Sequence, residues 1–343
     1  MKIGYFISSQ KPSGTDSVTA LNEQIKLVQY ARDQGWDSFF TGQHYLCEED
    51  IQMLQNIPVL SRLKAEAGHM TLGIGVLLIN LLNPVFIAET VATMDVIAEG
   101  NMAFGVGLGY RDVEFDALGV PKGQRLKRFL DCLDLVKRLW TEDEVSFESD
   151  YCVLDKVKLN MRPIQKPYPP IWFAANSDPA VKRAAHLGDT LFINPHATTQ
   201  TINRQMDLYR SELNSLGKPF PKELPCMKEV FCAKDKKTAL ELARPFLEVK
   251  YADYARTGQD KALPEDEVSW KDLPFEELLK DRFILGSPEE CYEELLPYLR
   301  MGVNHLIIRT SWIGMPYSTT LQSMRLFSEE VVPALKKESG KLA

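Results

Sequence analysis

The chain has no run of about 18 uncharged apolar residues, so no segment is long enough to cross a bilayer as a helix. Its first residues, MKIGYFISS, hold an apolar run too short for a secretory leader and no small-residue cleavage pattern, and a cytoplasmic location is expected. Cysteine is sparse and scattered. Cys47, Cys132, Cys152, Cys226, Cys232 and Cys291 include no C-x-x-C pair and have no histidine at ligand spacing, which argues against a disulfide framework and a metal site. An excess of positive charge is also missing: 40 Lys and Arg against 47 Asp and Glu leave a net charge of -7. That balance lacks the electrostatic footprint of a nucleic-acid binder. No repeat or low-complexity tract divides the chain, and residues 1–343 are read as one domain.

Strand and helix signals alternate along its length. Lys2 to Ile7 reads as a first strand, followed by a polar turn with Pro12 and Gly14. Leu21, Ile25, Val28 and Ala31 recur at helical spacing, with Asp16 as N-cap and Gly35 closing the helix. Ser38 to Thr41 is a second strand that delivers Gly42, Gln43, His44 and Tyr45 to its C-terminal end. A polar, partly helical stretch runs to Gly68, and Thr71 to Leu82 is a long third strand. Its unbroken apolar character is what a parallel sheet covered on both faces requires.

Asn83 and Pro84 open the next helix, which runs toward Gly100. Met102, Ala103, Phe104 and Val106 form a fourth strand, and Pro121 to Trp140 a helix. Residues 141–170 interrupt the alternation as an insertion on one rim. Ile171 to Ala174, Thr190 to Ile193, Leu224 to Ala233 and His305 to Arg309 supply strands five to eight. Before the eighth come a helix from Lys236 to Arg256, an aperiodic charged stretch at about 258–287 expected to be a mobile loop, and a helix from Ser287 to Gly302. Tyr317 to Lys337 closes the chain with a helix. This pattern fits an α/β fold of the (β/α)8 TIM-barrel class with insertions better than an open sheet.

Such barrels carry their sites at the C-terminal ends of the strands. His44 stands at such an end, and His196, after strand six, is the second choice among the histidines. The fourth strand contains Gly105, Gly107 and Gly109, followed by Tyr110. Glycines there serve either a close ligand or a layer of small residues inside the barrel. The spacing is G-x-G-x-G, so a dinucleotide fingerprint fails at its last position. A phosphate could instead meet the backbone at Ala175, Asn176 and Ser177 before the next helix, with Arg125 adding a charge. An ordinary N-cap and a solvated arginine explain the same residues. Arg309 and Trp312 either line a pocket or close the barrel, and Trp172 belongs to the core.

With these residues in view, the chain resembles the bacterial luciferase-like flavin-dependent monooxygenase family over nearly its whole length. The likeness is carried by Thr41 to Tyr45, Asn83-Pro84, FGVGLGY followed by Glu114, Phe115 and Leu118-Gly119, the segment PYPPIWFAANS, and AHLGD at Ala185 to Asp189. The resemblance implies a TIM barrel with a flavin across its C-terminal mouth. It places the flavin phosphate at Arg125, Ala175, Asn176 and Ser177, the ribityl chain beside Gly107, Gly109 and Tyr110, and a non-prolyl cis peptide near Gly75 and Val76 behind the ring. His44 matches the family's active-site histidine.

Two departures stand out. Asn101 and Met102 follow Gly100 where many relatives have an arginine, and Leu108 replaces the luciferase-type arginine of strand four, so a weaker phosphate grip, or other donors, should follow. The implied activity is a monooxygenase that takes reduced FMN from a separate NAD(P)H:flavin reductase and, with O2, oxygenates a small organic substrate through a flavin C4a-peroxide. His44 would then be the acid or base, or hydrogen-bond the peroxide, with Tyr110 and Trp312 shaping the pocket and the 259–287 stretch a lid. The alternatives are a deazaflavin-dependent hydride-transfer oxidoreductase and a non-catalytic flavin-binding paralogue. No nucleic acid, membrane or metal enters any of these readings. Apolar residues on the helices around 51–63 and 84–98 point to a homodimer or higher homo-oligomer.

Overall fold

The computed structural model describes residues 1–47 and 50–342; of the expected span 1–343, positions 48, 49 and 343 lie outside the described residues. Eight parallel strands close into a ring: β1 (Lys2–Phe6), β2 (Ser38–Thr41), β3 (Thr71–Leu78), β4 (Met102–Gly107), β5 (Ile171–Ala175), β6 (Thr190–Ile193), β7 (Pro225–Cys232) and β8 (His305–Arg309). Each pairs with its neighbours in sequence order. The ring closes where β8 returns to β1, with Lys2 opposite His305, and Ile193 of β6 meets Cys226 of β7. The fold is the expected TIM barrel.

Local chemistry sets the helix starts. Asp16 accepts a hydrogen bond from the Thr19 N–H, Asn83 accepts from the Val85 N–H with Pro84 in the first turn, and Ser287 and Glu290 form a reciprocal capping box. β3 ends at Leu78, short of the expected Leu82, because Ile79–Leu81 turns into a 3₁₀ segment. The apolar run continues through that turn because Ile79, Leu81 and Asn80 are buried too. The helix expected from Pro121 starts at Arg125, and the short helix Asp112–Ala117 is additional.

The two insertions lie at opposite ends of the barrel. Residues 141–170 follow a helix and precede β5, so they belong to the N-terminal rim, where Val145–Ser149 and Cys152–Val157 form an antiparallel hairpin. The segment after β7 belongs to the mouth. Instead of a bare loop, 258–287 contains the helix Phe275–Leu279, two 3₁₀ turns and the strand Ile284–Gly286, which pairs in parallel with the end of β7. These pieces are too short to show periodicity in sequence. Tyr251, Tyr254, Trp270, Phe275, Phe283 and Trp312 give them a small core of their own. Glu267 pins the segment further, accepting from the Thr198 N–H at 2.7 Å and pairing with Arg282.

Inside the ring, Phe6, Phe40, Trp172, Phe192, Met227 and Ile307 fill the barrel, with Phe40 stacked on Trp172 at 5.1 Å. Outside the ring, Val59, Leu60 and Leu63 of the helix Asn56–Ala67 are buried, as is Ile51 in the short strand before it, whereas Phe86, Val96 and Ile97 of the helix Pro84–Ile97 stay exposed. The apolar excess behind the expectation of self-association is therefore confined to the second of its two helices.

The barrel floor is sealed by a buried polar chain. His305 Nε2 lies 2.6 Å from Ser38 Oγ, and His305 Nδ1 lies 2.6 Å from Glu223 Oε1. The order serine, histidine, carboxylate is that of a hydrolase, but Ser38 and His305 are 0% and 1% exposed and no substrate reaches them. Burial lowers the His305 pKa, with Glu223 opposing. The folded state therefore binds a proton at His305 less readily than the unfolded chain does. Stability from this site is present above the unfolded histidine pKa of about 6.5 and is lost as pH falls below it. We expect urea midpoints to be level above about pH 7 and to decline between about pH 6.5 and 5. His305→Asn should be less stable at neutral pH and show a shallower decline; an unchanged slope would place the effect elsewhere.

Candidate active site

A cavity of about 530 Å³ opens at the C-terminal ends of the strands. The structure brings His44, Gly75, Val76, Gly107, Gly109, Tyr110, Arg125, Asn176 and Ser177 to its wall. Ala175 is the exception. It is 5% exposed, packs into the core around the barrel, and its carbonyl accepts a hydrogen bond from Asn194 Nδ2 at 2.8 Å. Its neighbours Ala174 and Asn176 reach the cavity instead. The Gly75–Val76 peptide is cis, at the expected position.

The glycines of β4 have two separate causes. A Cβ on Gly105 would lie 2.1 Å from the Ile74 carbonyl oxygen, so this glycine answers to the backbone of the neighbouring strand. A Cβ on Gly107 would lie 2.5 Å from Val76 Cγ2, and both residues line the cavity. Barrel packing accounts for the first, and the shape of the cavity wall depends on the second.

His44 follows β2 and is held from behind. Its Nδ1 lies 3.0 Å from Glu114 Oε1, and the same oxygen accepts from the Tyr45 N–H at 2.9 Å. Glu114 is 0% exposed and comes from the short helix Asp112–Ala117. Arg111 stands 3.8 Å from that carboxylate and donates to the Tyr45 and Leu46 carbonyls, so the turn carrying His44 is tied to the turn after β4. A buried carboxylate at Nδ1 fixes the tautomer with the proton there, leaving Nε2 as the free nitrogen. Tyr110 packs edge-on against the imidazole at 5.7 Å, and burial raises its hydroxyl pKa well above the ordinary tyrosine value. Glu114 escaped the sequence reading as a site residue because a six-residue helix leaves no periodic trace.

His196 lines the opposite side, its ring 5.3 Å from Tyr254 and 5.6 Å from Trp270. Burial, then the charge of Arg309, lowers its pKa well below the ordinary histidine value, so it is neutral. Arg309 also reaches the cavity, whereas Trp312 does not shape it: Trp312 is 0% exposed and donates to Glu229 Oε2 at 2.7 Å. That carboxylate accepts from Arg309 Nε at 2.9 Å and, through Oε1, from Lys250 Nζ at 3.1 Å. Burial alone would raise the Glu229 pKa, but Arg309 and Lys250 hold it well below the usual carboxylate range.

The cavity wall is one-sided in charge. Arg125, Arg183, Lys261 and Arg309 line it, and among the described residues no aspartate or glutamate does. Arg125 is the first residue of the helix Arg125–Thr141, and Arg183 lies on the helix Asp178–Leu187. Neither has a hydrogen-bond or ion-pair partner among the described residues. Arg183 was not legible as a site residue, since a lone arginine on a short amphipathic helix reads as surface. No group of three or more metal-ligating side chains occurs among the described residues, and no helix there is long and apolar enough to cross a membrane.

The chain is similar to known proteins over most of its length. The oxygenase component of a flavin-dependent trigonelline monooxygenase from Acinetobacter baylyi is 23% identical, covering 98% of this chain and 96% of its own. An F420-dependent glucose-6-phosphate dehydrogenase from Amycolatopsis mediterranei is 25% identical, covering 98% and 99%. The monooxygenase RslO1 from Streptomyces bottropensis superposes with a TM-score of 0.84 at 20% identity, over 98% of this chain and 100% of that one. The sequence model for the luciferase-like monooxygenases matches residues 1–305, and the chain therefore belongs to that family of oxidoreductases.

Proposed function

We propose that this oxidoreductase binds reduced FMN delivered by a separate reductase and uses O2 to oxygenate a small organic substrate. The observation that carries the reading is His44, locked by buried Glu114 at the wall of a cavity whose cations have no carboxylate among them. The cavity suits a flavin. Val76, Phe6 and Phe192 offer an apolar surface for a flat ring, and Arg125 and Arg183 offer unpaired charge for a phosphate. Arg125, Asn176 and Ser177 would hold that phosphate, Gly107, Gly109 and Tyr110 would border the ribityl chain, and Gly75 and Val76 would lie behind the ring.

A bound flavin supplies electrons for oxygen chemistry, or a hydride if it is a deazaflavin. The protein supplies the rest. The apolar wall excludes water, and His44 Nε2 holds or moves a proton at the reacting centre, with Glu114 stabilising the imidazolium through Nδ1. The strand Ile284–Gly286 and the helix Lys236–Thr257 carry the segment that covers the mouth on the β7–β8 side.

The second reading, a deazaflavin-dependent hydride transfer, is favoured by the F420-dependent relative at 25% identity over 98% of the chain. The presence of His44 at the cavity wall argues against a flavin-binding paralogue without chemistry. Exposed Phe86, Val96 and Ile97 support a homodimer or higher homo-oligomer, and a monomer by light scattering would reject it.

Fluorescence titration with FMN and with a deazaflavin coenzyme separates the first two readings: tight deazaflavin binding with negligible FMN binding reverses their order. His44→Ala should lower turnover by about 10²- to 10⁴-fold with little change in cofactor affinity. Glu114→Gln keeps the size of the side chain but weakens its hold on the ring, so turnover should fall with little change in cofactor affinity. Unchanged turnover in that variant would remove Glu114 from the mechanism.

A further inference from the structure

We propose that Arg183 is a second cationic contact for the cofactor phosphate, beside Arg125. The proposal rests on the flavin reading above. Leu108 stands on the cavity wall where the resemblance leads one to expect an arginine, and it brings no charge. Arg183 reaches the same cavity from the next βα unit, three residues after Ala180, which also lines it. Positions three apart share a helix face, and the small Ala180 side chain leaves that face open between Ser177 and the guanidinium. Ser177 is the N-cap residue of this helix but makes no side-chain capping bond, so its hydroxyl is free for a ligand.

The environment of Arg183 is unusual within this chain. Among the described residues, every other buried or half-buried arginine has a hydrogen bond or ion pair except Arg125, and Arg125 lines the same cavity. Arg300 and Arg325, which also lack partners, are exposed. A guanidinium withdrawn from water without a counter-charge is destabilised, and burial does lower the Arg183 pKa. With no carboxylate on the wall among the described residues, an anionic ligand would supply the counter-charge. A phosphate monoester between Arg125 and Arg183 would supply it and would suit the planar donor fork of each side chain.

The test is the affinity of FMN and of riboflavin, which lacks the phosphate, for wild type, Arg183→Ala and Arg183→Lys, read by fluorescence quenching. Arg183→Ala should weaken FMN by about 10- to 100-fold and leave riboflavin unaffected, with Arg183→Lys in between. Unchanged FMN affinity, or an equal loss for both ligands, overturns the proposal. Inorganic phosphate separates this result from the flavin reading. If wild type binds neither flavin but gains thermal stability from phosphate and Arg183→Ala does not, the anion site stands and the flavin reading falls. If phosphate stabilises neither protein, the anion site falls as well.

Discussion

The mouth of this barrel depends on one buried carboxylate. Glu229 accepts hydrogen bonds from Arg309 of β8, Lys250 of the helix Lys236–Thr257 and Trp312 beyond β8. A charge at that depth is tolerated only because cations and a ring N–H surround it, and removing any one would leave the rest uncompensated. The network fixes three things together: the separation of β7 and β8, the seat of the mouth-covering segment, and the side of the cavity to which Arg309 presents its guanidinium. Phe6 packs against that guanidinium at 5.1 Å, carrying the constraint across to β1.

The opposite half of the mouth is arranged by a different buried carboxylate. Glu114 ties the turn after β2 to the turn after β4 through His44, Tyr45 and Arg111. The two halves differ in what they leave over. Around Glu229 the basic groups share a carboxylate partner within the protein; along the Arg125 and Arg183 edge no hydrogen-bond or ion-pair partner occurs among the described residues. The result is a polar gradient across one cavity, from an imidazole held by a buried carboxylate to two guanidiniums with no hydrogen-bond or ion-pair partner among the described residues. A ligand with a flat apolar centre and one anionic end matches that gradient.

Much of this was readable beforehand because parallel strands and capped helices leave signals over several consecutive residues. The unbroken apolar run of β3, the Asn83-Pro84 helix start and the alternation of eight strands with helices all rest on contacts between near neighbours in the chain. Position at a strand end was enough to mark His44, Tyr110, Asn176 and Ser177. Differences came where an element was shorter than a period, as with Asp112–Ala117 and Ile284–Gly286.

The sequence by itself therefore determined the barrel, its strand order and which end carries the cavity, since hydrophobic periodicity and turn chemistry are local. Only the tertiary structure decided which charges meet. Glu114 lies 70 residues from His44 and Glu229 lies 80 from Arg309. Whether an arginine such as Arg183 finds a partner is likewise a property of the closed ring. Pairing of that kind is set by how the strands and helices pack in space, and no spacing along the chain encodes it.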